Sequence, residues 1–360
     1  MICRIFFIVI LFSSVSQGFC QAFTQNTGLE VSPKFGFLIP HRATMQHLAK
    51  GHIAGIDLSI VNQTDGSKQW HEDFLLPKYG VSLYFSNLGY EEVLGNAFGA
   101  RGFLALPFVK SKSWSFGSRL GAGLAYATKR FDQIINPKNN ALGSRLNCFI
   151  SLGVETEKQF KQSALTLGLD MSHMSNGAIR LPNLGLNIVF LSLGYTHYFE
   201  PIKKSETAHN VDTMGSEERW HFYVLGLYSS KQIYPTGGRN YNIFGITPYV
   251  QFRCTPKCIV EGGLDGIYNQ SIYDKSGQVF PRSSNFQLGT YAAYVLPVSK
   301  MQLLVGMGAY LIDPADPGGP VYHRFGGRFK LGERLMGNLT IKAHWAKADY
   351  FEYGITYRIK

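Results

Sequence analysis

The sequence predicts an all-β protein, an outer-membrane antiparallel β-barrel of about sixteen strands in total. Three observations predict it. Apolar residues alternate with small or polar ones along most of the chain. After the first twenty-odd positions no stretch approaches the roughly 18 consecutive apolar residues that a membrane helix requires. The N-terminus has the layout of an export signal, which sends the chain to a compartment where barrels are found.

That signal is Met1-Ile2-Cys3-Arg4, the apolar run Ile5 to Phe12, and the small and polar residues Ser13 to Gly18. Cleavage after Gly18 and cleavage after Ala22 both fit, and residues 1–22 are read as the leader. Phe19 before Cys20 argues against a lipoprotein, because a small residue is expected there. The composition leaves a soluble protein and a barrel both open: 45% hydrophobic residues, 14% aromatic residues and a mean hydropathy close to zero are too polar for a bundle of membrane helices.

The alternation is most direct in 114–126, where Trp114, Phe116, Leu120, Leu124 and Tyr126 share one face and Ser115, Gly117, Arg119, Gly121 and Gly123 take the other. In 338–345, Leu339, Ile341, Ala343 and Trp345 alternate with Asn338, Thr340, Lys342 and His344. The last strand sets Phe351, Tyr353, Ile355, Tyr357 and Ile359 against Glu352, Gly354, Thr356 and Arg358. The same test gives strands near 27–38, 51–62, 69–86, 94–109, 114–129, 143–156, 162–173 and 184–199. After the polar, aperiodic segment 201–218, read as a linker, it gives 219–232, 242–254, 257–270, 284–296, 301–312, 321–332, 335–346 and 350–360. The expected organisation is therefore 23–200, then the linker, then 219–360. It forms either one large barrel or an eight-stranded barrel followed by a second eight-stranded unit. With a periplasmic start, the short connections 111–113, 157–161 and 254–258 fall inside, and the longer loops 131–142 and 271–283 fall outside.

Cysteine and charge add less. Cys254 and Cys258 flank a turn containing Pro256, so a hairpin disulfide fits an oxidising compartment, the alternative being two free thiols with no role. No further ligands stand beside the pair, and neither a metal site nor a cofactor is expected. The net charge of +11 is scattered along the chain. Export argues against nucleic acid as a partner and leaves anionic lipid. The sequence does not specify the oligomeric state.

One strand ends in chemistry. In Ser163 to His173 the odd positions Leu165, Leu167, Leu169 and Met171 are apolar. The period of two therefore puts His173 on the lipid-facing side at the outer end. If the extended backbone continues for two residues, Ser175 shares that face, and an imidazole beside a hydroxyl is the arrangement that activates a serine nucleophile. Across the hairpin, Asn187 has the parity of Val189, Leu191, Leu193 and Tyr195 and falls beside His173. Asp170 faces the lumen. His41, His47, His52 and His71 are scattered and read as having no role.

The run His173-Met174-Ser175-Asn176-Gly177-Ala178-Ile179-Arg180-Leu181-Pro182-Asn183-Leu184-Gly185-Leu186-Asn187 resembles the signature of the PagL-like lipid A 3-O-deacylases, in the variant carried by long exported proteins of the acyloxyacyl hydrolase type. The resemblance extends over roughly 75–199, including Asn136 to Ser144 and the Leu94 to Pro107 strand, whereas 219–360 matches only as barrel. It implies an eight-stranded outer-membrane barrel carrying a Ser nucleophile, a His base and an acidic third residue on its lipid-facing surface, with lipid A of the outer leaflet as substrate. By motif position Ser175 is the implied nucleophile and His173 the base. Asn176 and Asn183 are implied to stabilise the oxyanion, and Asn187 stands where the family has an acid. An Asn carbonyl can orient the imidazole but offers no charge, so a working, weakened ester hydrolase is expected. Arg180, at the outer rim, is read as solvated in preference to holding lipid A phosphate. The competing expectations are a non-catalytic channel or scaffold with a vestigial motif, and a phospholipid acyl hydrolase.

Overall fold

The computed structural model describes residues 25–205, 219–275, 277, 281–313, 319–345 and 347–359. The leader 1–22 and positions 206–218 of the linker lie outside these residues. Strands β1 (Thr27–Leu38), β2 (His52–Gln63), β3 (Lys78–Asn87), β4 (Asn96–Lys110), β5 (Trp114–Ala127), β6 (Leu146–Gln159), β7 (Ser163–Ser175) and β8 (Leu186–Tyr198) pair antiparallel in order, and β8 returns to β1. A second closed barrel follows. It is built from β9 (Trp220–Gln232), β10 (Asn240–Thr255), β11 (Cys258–Asn269), β12 (Phe286–Val298), β13 (Met301–Ile312), β14 (Val321–Lys330), β15 (Leu335–His344) and β16 (Lys347–Arg358), with β16 closing onto β9. Of the two organisations open to the sequence, two eight-stranded barrels are the one found.

One expectation is corrected. Residues 69–86 are not one strand: Gln69–Asp73 form a short helix and β3 starts at Lys78. Leu75 and Leu76 both adopt positive φ, which breaks the extended chain ahead of Pro77. The connection 64–77 is thus long, although it leaves the end of the barrel where the other turns are short. Cys254 and Cys258 are free thiols. A bulge between Arg253 and Thr255 leaves Cys254 without a cross-strand partner and pairs Cys258 with Thr255, and the Cys254 and Cys258 side chains still meet in a hydrogen bond.

Alternation has its expected consequence. The outer faces are apolar, with Leu29, Val31, Phe35, Leu165, Leu167 and Leu169 among many exposed side chains. The inward residues fill the lumen, as the width of an eight-stranded barrel permits. In the first barrel Lys34 bridges Asp57 and Asp170, Arg101 reaches Asp57, and Arg119 binds Glu30 and Glu155. Toward the end that carries loops 39–51, 88–95, 128–145 and 176–185, the lumen turns apolar. Met45, Leu48, Leu94, Leu142, Phe149, Met174, Leu186 and Ile188 pack there with little or no exposure. In the second barrel Arg324 is held by Asp265 and Glu352, and Arg328 by Glu261.

The barrels touch side by side. Leu104 and Leu106 have the outward parity of β4 yet are buried, because Val298 and the flanking Leu296 and Leu303 of the second barrel cover them. Replacing Arg324 with Met removes the ion-pair partner of the buried Asp265 and Glu352. The expected cost is about 3–5 kcal/mol, read as a lower denaturant midpoint for unfolding of the purified protein.

Candidate active site

The sequence reading of β7 holds at its outer end. The strand stays extended through Ser175, so His173 and Ser175 share the outward face while Met174 between them roots the strand in the apolar plug. Register does the rest. His173 lies opposite Asn187 in β8, and Ser175 lies opposite Cys148 in β6. Asp170 points into the lumen, with its Oδ2 2.7 Å from Lys34 Nζ.

These side chains form a connected chain of hydrogen bonds. His173 Nε2 lies 2.8 Å from Ser175 Oγ, and His173 Nδ1 lies 2.6 Å from Asn187 Oδ1. Asn187 Nδ2 in turn lies 3.1 Å from His41 Nδ1. With His173 neutral, only one protonation pattern satisfies all three contacts. An amide oxygen accepts only, so His173 Nδ1–H donates to it and Nε2 is left with a lone pair for the Ser175 hydroxyl. The amide nitrogen donates only, so His41 Nδ1 must be the unprotonated nitrogen. His41, read from the sequence as having no role, lies 146 positions from Asn187 and is carried beside it by the loop that follows β1. His47 contacts the Lys138 carbonyl, His52 packs on Phe35 and His71 pairs with Asp65, all away from this chain.

Burial lowers the pKa of His41, as do the nearby charges of Arg42 and His173, against the pull of a hydrogen bond to the Leu184 main chain. The neutral form is therefore the one the fold favours. A depressed pKa means that His41's contribution is present above its unfolded value and is lost as pH falls through the folded one.

The loop 176–185 is tied by side chains. Asn176 is buried; its backbone N–H donates to Asn183 Oδ1 at 2.9 Å, and its Nδ2 donates to Ser144 Oγ at 2.8 Å and to the Arg180 carbonyl at 2.9 Å. Its Oδ1 accepts from Arg180 N–H. Every donor of Asn176 is thus spent on Asn183, Arg180 and Ser144, and its part is to shape the chain rather than to present a free N–H. Asn183 Nδ2 makes no hydrogen bond to the described residues. Arg180 is exposed, as expected of a solvated side chain.

Just after Ser175, Gly177 and Ala178 both have positive φ, +60° and +61°. Such a conformation is costly for Ala, so the surrounding contacts must hold it. Gly185 has a clear reason to be glycine: a Cβ there would stand 2.8 Å from His173 Cε1, and φ is +76°. Gly143, in the segment before β6, would likewise press a Cβ against the main chain of 180–182.

Residues 54–196 match the family model described as lipid A 3-O-deacylase (PagL), and residues 218–360 match the one described as acyloxyacyl hydrolase, C-terminal domain. The second match corrects the expectation that 219–360 is similar only as barrel. Among solved structures, the crystal structure of the outer membrane enzyme PagL is 18% identical, covering 48% of this chain and 99% of that one, with a TM-score of 0.32. A triple mutant of the Rhodopseudomonas blastica porin is 8% identical, covering 92% of this chain and all of that one, with a TM-score of 0.19. Both scores are too low to carry an argument. No curated protein matches the chain.

Nitrogen chemical shifts should find neutral His173 protonated on Nδ1, and His41 titrating below the ordinary imidazole value of about 6.5. A His173 tautomer protonated on Nε2, or a His41 midpoint above that value, contradicts the network. The two family matches together span most of the residues, barrel and site alike, and the chain belongs to the PagL family.

Proposed function

We propose that this protein is an outer-membrane esterase that removes an ester-linked acyl chain from lipid A, by 3-O-deacylation, with Ser175 as nucleophile and His173 as general base. The observation that carries the reading is the chain Ser175–His173–Asn187–His41, set on the outward face at the loop end of the first barrel. The site points out of the barrel wall, with Ser175 itself only 3% exposed, and an exported barrel that begins in the periplasm turns its loop end to the outer leaflet, where lipid A resides.

In this mechanism His173 Nε2 takes the Ser175 proton as Oγ attacks the acyl carbonyl carbon. The tetrahedral intermediate collapses with His173 returning the proton to the departing sugar hydroxyl. Water, deprotonated by the same nitrogen, then releases the fatty acid from Ser175. The oxyanion needs donors fixed before the reaction. Asn183 Nδ2 and the main-chain N–H groups of the left-handed Gly177–Ala178 turn are assigned that part, while the Asn176 side chain holds the turn in place.

Asn187 takes the position of an acid without its charge. An amide in that position usually fails because it can rotate and present its NH2 to the imidazole, imposing the wrong tautomer. Here His41 Nδ1 accepts from the NH2, which keeps the carbonyl turned toward His173. What is lost is the charge that stabilises imidazolium, so turnover is slower than an acid would give. The filled lumens of both barrels argue against a channel.

Outer membranes of expressing cells should contain lipid A lacking one ester-linked chain, and Ser175→Ala or His173→Ala should each abolish the loss, consistent with the about 10²–10⁴-fold contribution of a positioned base. Mass spectrometry of extracted lipid A reads this. If wild type leaves lipid A unchanged and frees no fatty acid from phospholipid, the esterase reading is dropped; release from phospholipid alone moves the substrate to that class. Asn187→Glu is expected to raise kcat, and an unchanged or lower kcat contradicts the account of Asn187 as the weak member. His41→Phe should lower kcat by about tenfold, as loss of the single bond that holds the amide implies.

A further inference from the structure

The loop that carries Asn176 and Asn183 is held on its far side by the second barrel. At the end of β9, Gln232 N–H donates to the Ala178 carbonyl at 2.8 Å, and Leu181 N–H donates to Gln232 Oε1 at 2.9 Å. The Gln232 side chain is itself fixed, since its Nε2 donates to the Gly238 carbonyl at 2.9 Å. At the start of β10, Asn240 Nδ2 donates to the Ile179 carbonyl at 3.0 Å. Three residues of the loop, Ala178, Ile179 and Leu181, are thus bound by groups from a different barrel.

Phe351 presses on the same loop from β16. By parity it belongs with Tyr353, Ile355 and Tyr357 on the outer face, each of them at least 41% exposed, yet Phe351 is 7% exposed. What covers it is Gly177: a Cβ on that glycine would lie 2.3 Å from Phe351 Cδ2. Any side chain there would therefore push the two barrels apart at this point. The left-handed turn at 177–178 is strained for Ala178, and the Asn176 bonds that span it from within hold it together with contacts from outside. The contacts that over-determine it include Gln232 on one side and Phe351 on the other.

We propose that the C-terminal barrel is a working part of the esterase site: Gln232 and Phe351 are positioning residues that clamp the 177–181 main chain and so set the oxyanion donors against Ser175. The proposal rests on the esterase reading and explains why a lipid-facing site that needs only one barrel is joined to a second. Without the clamp, Ser175, His173 and Asn187 keep their own bonds, because β7 and β8 fix them, while the loop that must stabilise the tetrahedral oxyanion loosens. The expected defect is therefore in the rate of the chemical step and spares binding of the acyl substrate.

Gln232→Met and Gln232→Glu separate a clamp from mere filling of space. Both keep the size of the side chain and the β9 main-chain bond, but only Glu retains an oxygen to accept from Leu181 N–H. With purified full-length protein and lipid A in detergent, Met is expected to lower kcat by about tenfold with KM within about twofold, the kinetic equivalent of one lost main-chain bond. Glu is expected to restore most of that rate. Amide hydrogen exchange provides a readout free of catalysis: residues 177–181 should exchange faster in Gln232→Met and in Phe351→Ala than in wild type, with the strands of both barrels unchanged. Unchanged exchange in both variants overturns the clamp, as does a Met variant with wild-type kcat or a Glu variant no better than Met. If wild type itself turns over no lipid, the esterase reading fails, and the exchange result alone then decides whether the second barrel holds the loop.

Discussion

The site depends on one constraint, the orientation of the Asn187 amide. Its oxygen must face His173 for the imidazole to carry its proton on Nδ1, and only then is the Nε2 lone pair turned to Ser175. A carboxylate would be indifferent to rotation, since both its atoms accept. An amide is not, and the difference has to be made up by something that reads its nitrogen. His41 does so from the loop after β1, and the burial that keeps His41 neutral is what leaves its Nδ1 free to accept. Four side chains from three segments therefore form one unit, in which the loss of His41 acts on Ser175 through two intermediaries.

Rigidity comes from below. Met174, Leu186 and Ile188 point inward from the same stretches of β7 and β8 that carry the site outward, and they join an apolar plug with Leu142 and Phe149. Because successive side chains alternate across the sheet, packing the plug and aligning the site are the same event. Lower in the lumen, ion pairs such as Lys34 with Asp170 take over. The barrel wall is thus pinned from within along its height, which leaves the outward face free to carry chemistry.

Much of this was legible in the sequence. The period of two gave sixteen strands close to their observed limits and put His173, Ser175 and Asn187 on one face, since β7 and β8 are hairpin neighbours and their register follows from local pattern. What was not legible is what depends on contacts between distant segments. His41 reads as an ordinary loop histidine until the barrel closes β1 against β8. Asn176 matches an oxyanion position by motif, but its donors are spent on Ser144, Asn183 and Arg180, an arrangement that only the folded loop reveals. Residues 69–86 carry enough alternation to pass for one strand, and the break before Pro77 is set by backbone conformation at Leu75 and Leu76.

The central claim, that Ser175 is a nucleophile activated by this network, is tested most directly by reacting the purified protein with a fluorophosphonate ester probe and locating the adduct by mass spectrometry. The account predicts a single adduct on Ser175, absent from the His173→Ala variant and formed more slowly when His41 is replaced by Phe. No adduct on the folded wild-type protein, or an adduct on another serine, would contradict it.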